Sequence, residues 1–382
     1  MPIYPIRARM PQYPSMRKVF ATLLLAACAL LLPAQKRLVL IDQDGAGPGG
    51  TDQMAMLALL QSPDVQVLGI TMVTGDAWRD EEALHTLRML ELTGHTDVPV
   101  AKGAVFPLVR TEDETRLDTA LYGKIAWLGA WGRVPVATAE PANGASSPAP
   151  ARFESHGPYE IPPMPEGLPA IKPLDEDAAH FLIRQVRAHP HHVTIYAAGP
   201  LTNIALAISL DPEFASLTKG IVLMGGSLNP QTADPEFATD PRHEFNFWFD
   251  PEAAHIVLHA DWPRIDATTV DVSVKAPFTK QMIDTIAKSQ APAARYIAAW
   301  SQARSYMWDE LEACAWIDPA ITTREALVYM DVDLSHGPNY GDTLIWSERL
   351  KPATGVRLVH AQLDLDLPRF QKEFVDLMTR TP

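Results

Sequence analysis

The chain has 382 residues, 47% of them hydrophobic, and a formal net charge of −14. That length carries enough apolar side chains for one large α/β domain or two modest ones. No stripe of Lys and Arg runs through it, which argues against a nucleic-acid polymer as partner; a small ligand or a carboxylate-bound metal suits the charge better.

Arg17 and Lys18 precede an apolar run from Val19 to Leu32, which ends at Pro33-Ala34-Gln35. A charged segment, an apolar segment and a small residue at the cut make residues 1–34 an expected export leader. The run is shorter than the roughly 20 residues a bilayer span takes. Leu25-Ala26-Ala27-Cys28 also resembles a bacterial lipobox, which offers lipidation of Cys28 as an alternative to cleavage. Either way the protein is expected to be exported, periplasmic or secreted, with no transmembrane span. Without the leader Cys314 is the single cysteine, so an intrachain disulfide and a thiolate metal site are both excluded. Any metal must be held by oxygen, with His as a helper.

Residues 37–44, Arg-Leu-Val-Leu-Ile-Asp-Gln-Asp, read as a buried strand ending in acids; a Gly-rich turn from Gly45 to Gly50 and an apolar helix from about Asp52 to Leu60 follow. A second strand, Val65 to Val73, feeds Thr74-Gly75-Asp76. The helix predicted near Asp80 to Thr93 has Ala83, Leu87 and Leu90 on one stripe and stops at Gly94. Residues 107–175 break the rhythm as a surface insertion, rich in Pro, Gly, Ala and Ser from Ala137 to Pro173. Within it, Trp127 and Trp131 sit where they would cover a cleft. Alternation resumes with a helix near Glu176 to Ala188, a strand from His192 to Ala197, a helix opened by Thr202-Asn203, and a strand from Gly220 to Met224. This alternation predicts one α/β domain over residues 35–382, an open, mostly parallel sheet with helices on both faces.

Three acids crowd the end of the first strand. Asp42 and Asp44 are two apart and share a face, and Asp52 follows the turn. Carboxylates this close repel, which raises a pKa or invites a cation, and ligands of open α/β sheets settle outside the carboxyl ends of strands. With no thiolate available, a hard cation such as Ca²⁺, taking six to eight oxygens, is the natural occupant. A turn built from Asp and Gly, with Asp52 capping its helix, accounts for the same residues without a ligand.

The blocks Ile41-Asp42-Gln43-Asp44, Thr51-Asp52 and the Gly-Ile-Thr-Met-Val-Thr-Gly-Asp run at 69–76 are followed by Ala198-Gly199-Pro200-Leu201-Thr202-Asn203 and by Ile221-Val222-Leu223-Met224-Gly225-Gly226. Then come His243-Glu244-Phe245-Asn246, Asp250-Pro251-Glu252-Ala253-Ala254, and Asp309 ahead of Ile317-Asp318-Pro319. In this order they resemble the inosine–uridine-preferring nucleoside hydrolase family over roughly residues 37 to 375, apart from the insertion, and the chain reads as a divergent bacterial member. The resemblance implies a Rossmann-like fold and Ca²⁺-dependent hydrolysis of the N-glycosidic bond of ribonucleosides to ribose and free base. It also implies a role in nucleoside catabolism or salvage, and a homodimer or homotetramer.

By the same resemblance Asp44 touches Ca²⁺ and is the general base toward the attacking water. Asp52 and Asp309 are metal ligands, Ala198 supplies a backbone carbonyl, and Asp42 stands behind them. Glu244 and Asn246 hold ribose hydroxyls, Met224 lines the pocket, and Asn229 is the expected further ribose-binding residue. The chain also departs from the family: Thr51 stands where an acid is usual, Asp76 replaces an Asn beside the sugar, and Trp308 occupies the place of a His that helps the base leave. The acid for the leaving group is therefore unassigned. Trp308, with Trp127 or Trp131, is a candidate to stack the base, a contact of about 1–3 kcal/mol; core or lid packing explains the same residues. His243 is expected to be solvated or to cap, with an approach to the ligand as the other reading. Two other readings stay open. Thr51 and Trp308 motivate a nucleoside- or sugar-binding protein without turnover. Asp42-x-Asp44 also opens haloacid-dehalogenase-type phosphatases, though the later Lys and second acid pair are missing in register.

Overall fold

Alternating side chains along the first strand set the architecture. In the computed structural model, which describes residues 36–132 and 156–381, Val39 and Ile41 join one buried apolar cluster and Leu40 another. Successive residues of a strand face opposite ways, so both sheet faces are covered. The expected leader with Cys28, and residues 133–155 of the insertion, lie outside the described residues.

Nine strands form one sheet: β1 (Arg37–Gln43), β2 (Val65–Met72), β3 (Val100–Lys102), β4 (Val193–Ala197), β5 (Gly220–Met224), β6 (Ile265–Thr268), β7 (Thr322–Val332), β8 (Thr343–Trp346) and β9 (Arg357–Leu365). Their order is β3-β2-β1-β4-β5-β6-β9-β7-β8. The neighbours from β3 to β9 pair in parallel, whereas β7 is antiparallel to both β9 and β8. β4 and β5 are buried at every position, as parallel strands roofed on both faces must be. The open, mostly parallel sheet with helices on both faces is thus present.

One face carries the helices Thr51–Gln61, Arg79–Thr93, Trp308–Ile317 and Leu367–Thr379, through Met54, Leu87, Leu311 and Phe370. Phe181, Ile204 and Val257 belong to the cluster on the other. The strand order reverses at β1, whose neighbours are β2 and β4. Such a switch point opens a crevice beyond the carboxyl ends of the two central strands, where Asp44 and Ala198 stand.

The insertion is more ordered at its start than its composition indicates. Residues Glu112–Tyr122 form a helix, capped by Thr111 Oγ1, which accepts from Glu114 N at 3.2 Å. A single 3₁₀ turn, Gly129–Trp131, follows.

Candidate active site

A cavity of about 400 Å³ lies in this crevice, with Asp44, Asp52, Asp76, Ala198 and Asp309 in its wall. Each comes from the end of a different element. Asp44 follows β1, and Asp52 lies in the first turn of the Thr51–Gln61 helix, where the dipole favours a carboxylate. Asp76 follows β2 and Ala198 follows β4, while Asp309 opens the Trp308–Ile317 helix.

Asp44 is wedged between two glycines. An added Cβ at Gly75 would stand 2.1 Å from its Oδ2, and one at Gly199 2.7 Å from its Oδ1; only glycine permits so close a backbone. Asp76 N–H donates to Asp44 Oδ2 at 2.9 Å. Asp52 and Asp309 line the wall together, and Gln43 Nε2 donates to Asp309 Oδ2 at 2.7 Å. Tyr196 OH fixes the start of that helix by donating to Asp309 O at 2.9 Å. Asp76 accepts from Trp127 Nε1 at 2.5 Å.

Burial pushes Asp44 and Asp52 well above the usual carboxylate range, and the negative charges of Asp76 and Asp309 push them further. Asp309 is raised chiefly by burial, and burial also lifts Asp76 to about 6. The strongest charges acting on Asp44 and Asp52 are all negative. A hard divalent cation is what such an all-oxygen, unneutralised donor set fits.

Asp42 stands behind the wall. Its Oδ1 accepts from Thr71 Oγ1 at 2.5 Å and Asn203 Nδ2 at 2.8 Å, tying β1 to β2 and to the Thr202–Leu210 helix. Burial lifts it to about 7.

Met224, Glu244, Asn246 and Trp308 line the same cavity. Glu244 caps the Phe245–Phe249 helix, accepting from Asn246 N at 2.9 Å and Phe247 N at 3.0 Å, and it also accepts from Gly226 N at 3.1 Å. Burial raises it to about 7 against those bonds. Asn246 Nδ2 donates to Met224 O at 3.0 Å. Trp308 is held edge-on by Tyr306 and Phe237, with ring centroids 4.8 and 6.0 Å away.

Two expectations are corrected. Asn229 is not in this cavity: its backbone N–H is bound by Asp271 Oδ1 at 2.8 Å, and it lines a separate hollow with Lys275 and Arg324. Trp131 follows the packing alternative, stacked on Phe249 at 4.4 Å and 26° and edge-on to Trp248. His243 is buried rather than solvated, and burial together with the nearby Arg110 charge lowers it to about 4.

The structure also accounts for Thr51. Its Oγ1 donates to Glu310 Oε2 at 2.6 Å, and Arg304 binds the other oxygen of that buried carboxylate. An acid does stand beside Thr51, but it comes from the far end of the chain and carries its own cation. Glu236, Phe237 and Arg304 also line the cavity and were not singled out from sequence. Asp234-Pro235-Glu236 carries a helix-start signal, and Asp234 Oδ1 does accept from Glu236 N at 3.0 Å. That signal marks the helix but not the wall it joins.

The profile of the inosine-uridine preferring nucleoside hydrolase family matches residues 39–372. A probable uridine nucleosidase 2 from Arabidopsis thaliana is 30% identical over 262 residues, covering 69% of this chain and 68% of its own. A pyrimidine-specific ribonucleoside hydrolase RihA from Salmonella newport is 31% identical over 243 residues, covering 64% and 63%. Of solved structures, an inosine-guanosine nucleoside hydrolase superposes with a TM-score of 0.69 at 23% identity, covering 91% of this chain and all of the other. At that identity the likeness speaks for the fold. Relatives occur in plants and in Schizosaccharomyces pombe as well as in bacteria, so they assign no bacterial source. On the profile match and the relatives together, the chain belongs to the inosine-uridine preferring nucleoside hydrolase family.

Proposed function

We propose that this protein hydrolyses the N-glycosidic bond of ribonucleosides to ribose and free base, with Asp44 taking the proton of the attacking water. The observation that carries the reading is the convergence of Asp44, Asp52 and Asp309 on one cavity beside Ala198. Names of relatives support it too, since uridine nucleosidases and a pyrimidine-specific ribonucleoside hydrolase are among them.

Asp44, Asp52, Asp309 and the Ala198 carbonyl would hold a Ca²⁺ ion, which when bound supplies charge that offsets the crowded carboxylates and orients the ribose diol. Bond cleavage builds oxocarbenium character at the anomeric carbon, and the carboxylate-lined wall stabilises it. Asn246 has its amide N–H on Met224 O, so its oxygen is the end left for a ribose hydroxyl. Glu244 is positioned by three backbone donors for the same work. Trp308 stacks the base. Glu236 supplies the leaving-group proton: it lines the cavity beside Phe237, and burial, with Asp234, Glu244 and Asp240 nearby, lifts it to about 7. A carboxylic acid still protonated near neutrality suits that role. The reaction serves nucleoside catabolism or salvage outside the cytoplasm, as the leader at residues 1–34 motivates.

A reducing-sugar assay across inosine, uridine, adenosine, guanosine and cytidine, with and without EGTA, tests this. Ribose release that EGTA abolishes is the expected result. Thr51 and Trp308 favour one second reading, a nucleoside-binding protein without turnover. Calorimetric binding of intact nucleoside with no ribose appearing over hours would establish it instead. The phosphatase reading loses its paired-acid opening, because Asp42 is bonded to Thr71 and Asn203 away from the cavity.

A further inference from the structure

We propose a second metal site, remote from the cavity, formed by His255, His259 and Asp331 and suited to Zn²⁺. His255 and His259 lie one turn apart on the Pro251–His259 helix, so both imidazoles project from one face. Asp331, near the end of β7, stands opposite. His255 Nδ1 is 2.8 Å from Asp331 Oδ1, and His259 Nε2 is 2.9 Å from Asp331 Oδ2. The two rings have centroids 4.0 Å apart, and one ligand atom from each residue falls within 4.8 Å of the others.

Two imidazoles donating to one carboxylate would explain these contacts without an ion. Three features point further. First, the spacing is within a small adjustment of a coordination shell. Zn–N and Zn–O bonds of about 2.0–2.1 Å place tetrahedral ligand atoms about 3.3 Å apart, so the two His–Asp gaps open by about half an ångström, while the remaining separations start within 4.8 Å. Second, the donors are fixed from behind. Val332 N donates to Asp331 Oδ1 at 2.8 Å. Gly355, at φ +93°, presses on the His259 ring so closely that a Cβ there would be 2.6 Å from its Cε1. Third, the side chains are 34%, 26% and 14% exposed for His255, His259 and Asp331, open enough for an ion and its waters to enter. The neighbouring cation, Arg357, is already committed to Asp261 and the His259 carbonyl.

Two imidazoles and one carboxylate select a borderline transition ion over Ca²⁺, which takes oxygens. The site therefore differs in kind from the acidic cavity. Three protein ligands leave the fourth position to water. Its consequence is a clasp joining the helix that follows the Glu244–Asp250 segment to the antiparallel wing of the sheet.

The test uses the full chain, stripped with EDTA and returned to a millimolar Ca²⁺ excess so that the cavity acids are filled. Zn²⁺ titrated calorimetrically should bind once per chain, and Co²⁺ should give the visible bands of a four-coordinate site. His259→Gln and Asp331→Asn should each weaken Zn²⁺ binding by about tenfold or more, with metal-free melting within a few degrees of the parent and ribose release in Ca²⁺ unchanged. Asp331→Asn keeps the shape and an acceptor, so it guards against misfolding as the cause. His243→Gln reports on the other candidate group, Asp240, His243 and Asp342. Two results would overturn the proposal: no Zn²⁺ binding by the parent chain, or binding that survives His259→Gln and Asp331→Asn, whether or not His243→Gln removes it.

Discussion

Asp44 owes its place to two neighbours without side chains and its chemistry to neighbours with charge. Asp44→Asn should lower ribose release by about 10²–10⁴-fold, the range of a lost general base, while circular dichroism and melting stay near the parent. Glu236 must carry a proton to donate one, and burial lifts it to about 7. The protonated fraction that can donate is half at about pH 7 and falls as pH rises further; Glu236→Gln should flatten that alkaline limb of kcat/KM and lower its plateau about 10²-fold. Trp308→Ala should cost about 1–3 kcal/mol of kcat/KM, with inosine and uridine unequally affected. Unchanged kinetics on every nucleoside would remove the stacking role. At this scale the acids were legible because a strand shows its faces in its sequence. Thr51 was not, because its partner Glu310 lies 259 residues on. Asn229 was misplaced because an interval in sequence does not say which side of a turn a side chain leaves. Its loop is turned by Asp271, which binds the N–H groups of both Leu228 and Asn229.

Elements converge on the cavity through their ends, so caps and close approaches govern both stability and rate, in separable ways. Gly75→Ala and Gly199→Ala put a methyl against the Asp44 carboxylate. Each should cut ribose release by more than tenfold while shifting melting less than a core truncation of about 2–5 kcal/mol would. Asp250 acts on stability instead. It caps the Pro251–His259 helix through Ala253 N at 3.1 Å, and also accepts from Leu108 N at 3.0 Å and Thr202 Oγ1 at 2.6 Å. Asp250→Ala should therefore cost at least the ~1–2 kcal/mol of a lost cap, read as a lower midpoint in urea. The N-terminal strands and helices could be read from apolar runs broken by Gly and Asp. β7 could not, since most of its positions are only partly covered and no continuous buried run announces it. The Glu112–Tyr122 helix was hidden for a related reason: Thr115 is its one buried position, so it shows no apolar stripe.

Across the whole molecule, the cavity joins Asp44, just after the first strand, to Asp309, which precedes the last three strands. An ion held between them binds the folded state alone, so it should stabilise by about 2.7 kcal/mol at a hundredfold excess over Kd. Differential scanning calorimetry with Ca²⁺ and then EGTA should show a fall of several degrees in the parent and little in Asp309→Asn. The sheet order holds one more consequence. β9 is the last strand in sequence, yet it sits between β6 and β7, and the helix bearing Asp309 packs on the Leu367–Thr379 helix. During synthesis on the ribosome, β7 and β8 have only each other to pair with until Arg357 has emerged. A nascent polypeptide that already contains every proposed metal ligand is therefore still unfinished as a fold. The stretch from Arg357 to Leu365 works as a keystone: an exposed, unpaired β7 edge awaits it, and a premature stop shortly before it leaves that edge open to aggregation.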